Sequence, residues 1–554
     1  MKARRSPALW LLALLLIVAA VDAPTLRGGF VWDDTVLVLK NQLTGDPSNL
    51  PAFFQIDLWS SVSAEEGGTR TPFYRPMMLA SLALDRALFG LSPAGAHLHS
   101  LLWHLLTTAL VWRLLRGLVH DAPAATAGAA LFALHPMHLE LVAFVAARND
   151  AMAAAGVLGA LILLEPARAG PGRLLGAGLC ALFALLSKES AALVVGLLLA
   201  VDQARYGRPG GLGRYGALLA AVGVWLGLRS RAALEPAGAS RLFEALAGSP
   251  AALAHYAEAL LRPTAFEPAV YLQAQDPDWG WLALGALVFA GLVLAARRER
   301  GASGETSGET LGRTALAGLG IAGLTFAPAL LGIQRSGLYS HRYAYLPMVG
   351  LVLVVAAALS GRDRRWSAGA ALVAAALALC SARAAPVWSS TEDFWAHNHA
   401  RNPSPLTACP LFVEYALADE PALAEPLLRE ALAGPVTEHC CFWASRFYFD
   451  RGRPELARAS GEQALAAGCP ASPELIAPLA MSEALACEWD RAEARMSTLP
   501  GDPYGYRALL LSAAALRRGD ASVMEGFAGD PREAEDGGAL RVQVEFLIDQ
   551  SGCD

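Results

Sequence analysis

Apolar runs carrying almost no charge recur from Ala8 to Ser360, and a chain built this way has few folds open to it. In hydrocarbon no water satisfies the backbone, so each run must close its own hydrogen bonds as a helix. About 20 apolar residues cross roughly 30 Å of hydrocarbon, with about 17 as a lower limit. Eleven candidates meet or approach that length: 7–21, 94–115, 124–134, 151–165, 174–187, 191–201, 215–228, 280–296, 314–331, 345–360 and 368–382. Several are short, and their polar ends are expected to be helical too. Composition excludes an ordinary soluble protein, with 55% apolar residues, 17% charged and a mean hydropathy of +0.38.

Positive charge orients the runs. With the N-terminus (Lys2, Arg4, Arg5) cytoplasmic, every second connection carries an arginine cluster: Arg113 and Arg116; Arg168 and Arg173; Arg205, Arg208 and Arg214; Arg297, Arg298 and Arg300; Arg362, Arg364 and Arg365. An odd number of spans, eleven, then leaves the C-terminal segment outside. The first run also reads as a signal peptide, with Ala20-Val-Asp-Ala23 as a small-residue cleavage site, and cleavage would not alter sidedness. The polar stretch 304–310 reads as a mobile cytoplasmic loop. Ala, Gly, Leu and Arg are heavily used and Lys is nearly absent, a genome bias that points to a bacterial plasma membrane.

Charge returns from Glu392 to Asp554, which supplies most of the net −6 and argues against nucleic-acid binding. The same segment repeats: Pro421-Ala-Leu-Ala with Ala431-Leu432 recurs as Pro454-Glu-Leu-Ala with Ala464-Leu465, and Asp490-Arg-Ala-Glu-Ala follows once more. A period near 34 reads as tetratricopeptide-like helical hairpins, the bland alternative being an unrepeated helical domain. Stacked hairpins offer a concave surface for peptides or partner proteins. The expected fold is therefore all-α: a polytopic membrane helix bundle over 1–390, with a first outer loop at 22–93, followed by a short extracytoplasmic repeat domain over 391–554. Cys180 and Cys380 lie in apolar runs as small hydrophobes. The six remaining cysteines lie in the tail, where disulfides are open but their pairing is not legible.

With sidedness set, the polar motifs share the outer face: Phe30-Val-Trp-Asp33-Asp34; Phe73-Tyr74-Arg75-Pro76; Leu134-His135-Pro136-Met-His138-Leu-Glu140; Arg148-Asn-Asp150; Ser187-Lys188-Glu189-Ser190; and His341-Arg342-Tyr343-Ala-Tyr345. Ionisable groups beside spans are costly, about 2.5–3.5 kcal/mol each at a helix centre, so such clustering points to a site. Each motif has a plain reading as well. Asp33-Asp34 could begin a solvated loop, Lys188-Glu189 could be an interfacial pair, and Arg342 and Tyr343 could be anchors at the bilayer surface. His135 and His138 lack a defined third ligand and no Cys/His metal spacing occurs, so no cofactor is assigned and a divalent metal is not favoured.

The motifs in this order, together with His97-Leu-His99 and Trp103-His104, closely resemble the TMTC family of transmembrane, tetratricopeptide-repeat O-mannosyltransferases of the GT-C superfamily. The resemblance covers the spans and the repeats. It implies transfer of mannose or a similar hexose from a polyprenyl-phosphate carrier to an acceptor hydroxyl on protein or glycan, with the acceptor docked on the repeat domain. Two departures stand out: the repeats are few and degenerate, and a bacterial cell gives no reason to assume dolichol.

The chemistry can be argued separately. Phosphate leaves as an anion without a general acid, so the reaction needs one base for the acceptor hydroxyl and cations for the phosphate. Asp33 or Asp34 is the expected base, Asp33 being favoured by the resemblance. Arg342, Lys188 and Arg148 are the expected phosphate clamps, with Tyr343, Tyr74 and Arg75 beside them, and displacement by one base implies inversion. Glu140, Asp150 and Glu189 are expected to orient the cations, and His135, His138 and His341 to support them. The competing readings are a catalytically inactive membrane scaffold whose repeats recruit envelope proteins, and a transporter or ligase for the same lipid. A transporter should show related halves with broken midplane helices, and none is seen.

Overall fold

The computed structural model describes residues 6–499 and Ala513, apart from 63–70, 233–239, 265, 272–276, 299–307, 337 and 435. It forms two compact units, Met1–Phe394 and Trp395–Asp554.

The first unit is a bundle of long helices: α1 (Pro7–Asp22), α2 (Pro76–Phe89), α3 (Pro93–Val119), α4 (Ala122–Ala133), α5 (Arg148–Leu163), α6 (Pro171–Ser187), α7 (Val194–Tyr206), α8 (Leu212–Ala232), α9 (Ser240–Leu261), α10 (Trp279–Arg298), α11 (Gly308–Ser336), α12 (Tyr345–Leu359) and α13 (Arg364–Ala384). Proline opens α1, α2, α3 and α6, where its missing N–H is one the helix would not have bonded. Each of the eleven apolar runs falls on one of these helices. Among the described residues six segments are long and apolar enough to cross a membrane: Pro7–Arg27, Val145–Leu163, Trp279–Arg298, Gly308–Leu330, His341–Leu359 and Arg365–Trp388. This is a membrane protein.

Three features depart from the sequence reading. The first outer loop contains the 14-residue helix α2. Helix α9 was not expected, because Arg241, Glu244, His255 and Glu258 interrupt its apolar pattern. Within 304–310, residues 304–307 lie outside the described residues, and Gly308–Thr310 already begin α11 instead of continuing a loop. A short antiparallel ribbon, β1 (Ala269–Tyr271) with β2 (Leu338–Ser340), pairs Val270 with Tyr339 just before the His341 motif.

Small residues bring helices close. A Cβ on Gly318 would stand 2.6 Å from the Gly350 carbonyl, so α11 and α12 touch backbone to backbone at this crossing. Facing ends of α7 and α8 are tied by Asp202, wholly buried, which accepts from Arg214 Nη1 at 2.9 Å and Nη2 at 2.7 Å and from the Tyr215 hydroxyl at 2.6 Å.

Among the described residues the second unit contains three helical hairpins: α14 (Pro405–Leu417) with α15 (Pro421–Ala431), α16 (Glu438–Phe449) with α17 (Pro454–Ala466), and α18 (Pro473–Leu485) with α19 (Trp489–Ser497). The sequence repeats at Pro421, Pro454 and Asp490 therefore mark the second helix of each hairpin. Disulfides Cys409–Cys440 and Cys441–Cys469 staple neighbouring helices, while Cys180 and Cys380 of the first unit stay free thiols.

Candidate active site

The segment 134–148 is wholly buried yet is not one regular helix. It runs through a turn at His135, a 3-10 turn at Pro136–His138, one helical turn at Glu140–Ala143 and a second 3-10 turn at Val145–Ala147, before α5 begins. A buried irregular backbone needs partners for its N–H and C=O groups, and the motif residues supply several. Asp34, fully buried, accepts from the Val145 amide at 3.0 Å and the Ala146 amide at 2.7 Å. His97 sets its ring nitrogens 3.0 Å from the Val142 carbonyl and 3.1 Å from that of Gly29. A Cβ on Gly28 would meet the Trp388 carbonyl at 2.9 Å, so the Gly28-Gly29 pair permits the close approach of the first loop.

Trp32, just before the acids, holds φ = 52°, a conformation rarely adopted by a bulky side chain. Strain of this kind is worth about 1–3 kcal/mol and persists only where packing enforces it. Its ring stacks on Phe144 at 5.7 Å and on Phe394 at 5.8 Å, and its amide donates to Thr391 Oγ1. A π-helical segment, Thr35–Lys40, follows Asp34 directly. The two acids are thus unlike: Asp34 is locked to backbone amides, while Asp33 is only half-buried and its charge acts on Arg342.

Three motif cations are each matched to an acid, and two of them, Arg342 and Lys188, lie over the Tyr343 ring. Arg342 Nε stands 3.7 Å from Glu140 Oε1, and its guanidinium lies over Phe144 at 5.3 Å and Tyr343 at 5.4 Å. Lys188 Nζ contacts Asp150 at 2.5 Å and lies 5.1 Å from the Tyr343 ring centroid. Arg75 bonds Glu189 through Nε at 3.1 Å and Nη2 at 3.0 Å. Lys188 feels the charges of both Arg75 and Arg342. Glu140 also accepts from Ser340 Oγ at 2.5 Å and from the Arg342 amide at 3.0 Å.

Burial pushes the Asp34 carboxyl up to about 7, against the pull of the Val145 and Ala146 amides. Burial likewise pushes Glu140 up to about 7, with Arg342 opposing it. Desolvation lowers the Lys188 ammonium, and Asp150 restrains the change. His135, pushed down to about 4 by burial, is a neutral ring at pH 7.

Other residues of the motifs have duties elsewhere. The His135 ring accepts from the Met137 amide and lies 3.3 Å from the Leu260 carbonyl; His138 lies 2.6 Å from the Phe132 carbonyl. His341 packs on Phe266 and Tyr339. Among the described residues no three His, Cys, Asp or Glu side chains converge to hold a metal. The Tyr74 hydroxyl donates to the Phe54 carbonyl. Arg148 departs from its expected role: it is fully buried and engaged by Asp85, Ser81, Ser100, His99 and the Ala96 carbonyl, with no face left for a phosphate. Sequence reading missed Asp85, whose signal is a lone acid in the apolar run Leu82-Ala-Leu-Asp85, and Phe144, which carries no signal.

An apolar cavity of about 250 Å³ opens between α9, α10, α11 and α12, lined by residues that include Met137, Leu260, Phe289, Ala344 and Met348. Tyr343 packs against the apolar cluster that forms part of its wall.

Residues 71–208, which carry the Arg75, His135, Glu140, Arg148, Asp150, Lys188 and Glu189 motifs, match the family model described as dolichyl-phosphate-mannose-protein mannosyltransferase. Among curated proteins, the chain is 36% identical over 127 residues to protein O-mannosyl-transferase Tmtc2 of Drosophila melanogaster, covering 23% of this chain and 13% of that protein. It is 30% identical over 186 residues to TMTC2 of Mus musculus, covering 32% and 22%, and 29% identical over 152 residues to TMTC3 of Homo sapiens, covering 27% and 16%. The chain thus spans less than a quarter of the length of these relatives. No solved structure matches. Over this shared stretch and the site motifs it carries, the chain is similar to the TMTC protein O-mannosyl-transferases.

Proposed function

We propose that this protein is an inverting glycosyltransferase that moves mannose or a similar hexose from a polyprenyl-phosphate carrier to an extracytoplasmic hydroxyl, on protein Ser or Thr. The observation that supports the reading is an apolar cavity whose wall includes Ala344, next in sequence to Tyr343, with Arg342 and Lys188 both lying over the Tyr343 ring. A phosphate on a long hydrocarbon tail has those two needs: charge for the head and an oily cleft for the chain. The names of the relatives support the transfer of mannose to protein.

In the reaction the acceptor oxygen attacks the anomeric carbon as Asp33 takes its proton. The bond from that carbon to the phosphate oxygen breaks, and polyprenyl phosphate leaves as an anion beside Arg342 and Lys188. Glu140, Asp150 and Glu189 hold the cations in place and take no proton. Eleven crossings put these groups and the repeat unit on the extracytoplasmic side, with the N-terminus in the cytoplasm of a bacterial cell, and the hairpins present the acceptor.

Purified protein supplied with a panel of radiolabelled polyprenyl-phosphate sugars and a Ser/Thr-rich acceptor peptide tests the reading. Label should move to the peptide from one carrier sugar and not from the free sugar. No transfer from any carrier, with the protein folded by its melting curve, would leave the scaffold reading standing.

A further inference from the structure

We propose that Arg148, held by Asp85, is a positioning residue that sets the first-loop acids for catalysis without touching substrate; this rests on the transferase reading above. Arg148 is the first residue of α5 and is fully buried. Its Nη1 contacts Asp85 Oδ2 at 2.5 Å and donates to Ser81 Oγ at 2.7 Å, both on α2. Its Nε donates to Ser100 Oγ at 2.9 Å and its Nη2 to the Ala96 carbonyl at 2.7 Å, both on α3. Asp85 is held in turn by His99, whose Nδ1 lies 2.5 Å away while its Nε2 accepts from the Trp103 indole at 3.0 Å. A planar fork gripped on three sides cannot shift without breaking several bonds, so the start of α5 is pinned to α2 and α3.

Two and three residues upstream lie the amides of Ala146 and Val145, which grip both oxygens of Asp34. Four residues upstream lies Phe144, stacked on strained Trp32 on one side and under the Arg342 guanidinium on another. One short turn thus touches the acid-bearing loop and the cation proposed for phosphate, and Arg148 anchors that turn. His97, also on α3, braces the same two loops through the Val142 and Gly29 carbonyls. Charge adds to the coupling, since Asp34 acts electrostatically on Arg148. The role is positional because the guanidinium has no exposed face.

The test compares wild type, Arg148→Lys, and the charge-neutral double variant Asp85→Asn/Arg148→Met, which avoids stranding one buried charge. Turnover per folded molecule, donor KM and hydrogen exchange of peptides covering 28–36 and 142–148 are measured. Misplacing a catalytic group by about 1 Å can cost on the order of 10²-fold, so kcat of the double variant should fall about 10- to 100-fold. Its donor KM should stay within about 2-fold, and exchange should quicken in both peptides. Arg148→Lys should recover part of kcat. Unchanged kcat per folded molecule, or slow exchange retained in both peptides, overturns the proposal. Asp33→Asn run alongside separates the two ideas: full activity in that variant removes Asp33 as base, whereas quickened exchange in the double variant still supports the anchor.

Discussion

Asp33 and Asp34 are neighbours in sequence with different surroundings. Asp34 spends both oxygens on backbone amides, and half-buried Asp33 is the acid proposed as base. General-base help is typically worth about 10²–10⁴-fold, so Asp33→Asn should lower kcat by that factor and leave donor KM little changed. Arg342→Ala should raise donor KM as well, because the proposal gives its guanidinium the donor phosphate to hold. Steady-state kinetics with varied carrier would show it, and wild-type turnover in Asp33→Asn would move the base elsewhere. The buried acids give a second residue-scale expectation. Asp34 and Glu140, raised to about 7 in the fold, keep protons that an unfolded carboxylate has lost near pH 4. Folding then takes up protons between about pH 4 and 7, so their contribution is complete below about 4 and is lost as pH climbs through about 7. The slope is up to ~1.4 kcal/mol per pH unit for each group. The melting temperature in detergent should therefore fall from about pH 4 to 7 and level off above, and Glu140→Gln, which keeps an oxygen for Ser340 Oγ, should flatten that fall. A melting temperature that does not change with pH would sink the assignment.

At the scale of elements, the long apolar helices were legible because an uncharged run has one way to satisfy its backbone in lipid. Helices α2 and α9 were not, since charged residues interrupt their apolar pattern, and the partner of Asp85 in α2, Arg148, lies far along the chain. The broken segment before α5 was visible only as His-Pro and Arg-Asn-Asp motifs; its path depends on Asp34 and His97, over 40 residues away in sequence. Element ends also carry stability. Asp202 at the end of α7 is the buried partner of Arg214 in α8. Removing one partner of such a pair typically costs about 3–5 kcal/mol, because the other charge stays buried alone. Asp202→Ala should lower thermal stability by about that amount, whereas exposed Glu455→Ala on α17 should change it little. Equal effects of the two in a melting assay would show the pair to be slack.

For the whole molecule, the disulfides and the arginine clusters bear on sidedness. Disulfides persist in oxidising compartments, and among the described residues Cys409–Cys440 and Cys441–Cys469 link the hairpins while Cys180 and Cys380 stay free thiols. A periplasmic-active reporter fused after Ser390 should therefore be active, and a cytoplasmic one silent; the reverse result would overturn the eleven-crossing arrangement. Replacing Cys409 and Cys440 with Ser should destabilise the repeat unit by about 2–4 kcal/mol, the usual effect of losing such a link. By itself the sequence determined the class of fold, the apolar helices, the period of the hairpins and the set of polar motifs. Those follow from local rules: apolar length, charge placement and repeat spacing. Only the tertiary structure decided that Asp34 accepts from two backbone amides, that the Arg148 guanidinium is buried against Asp85, Ser81 and Ser100, and that Arg342 and Lys188 both lie over Tyr343. Those choices are made by contacts between residues tens to hundreds of positions apart, and a buried guanidinium and a reactive one are written with the same letter.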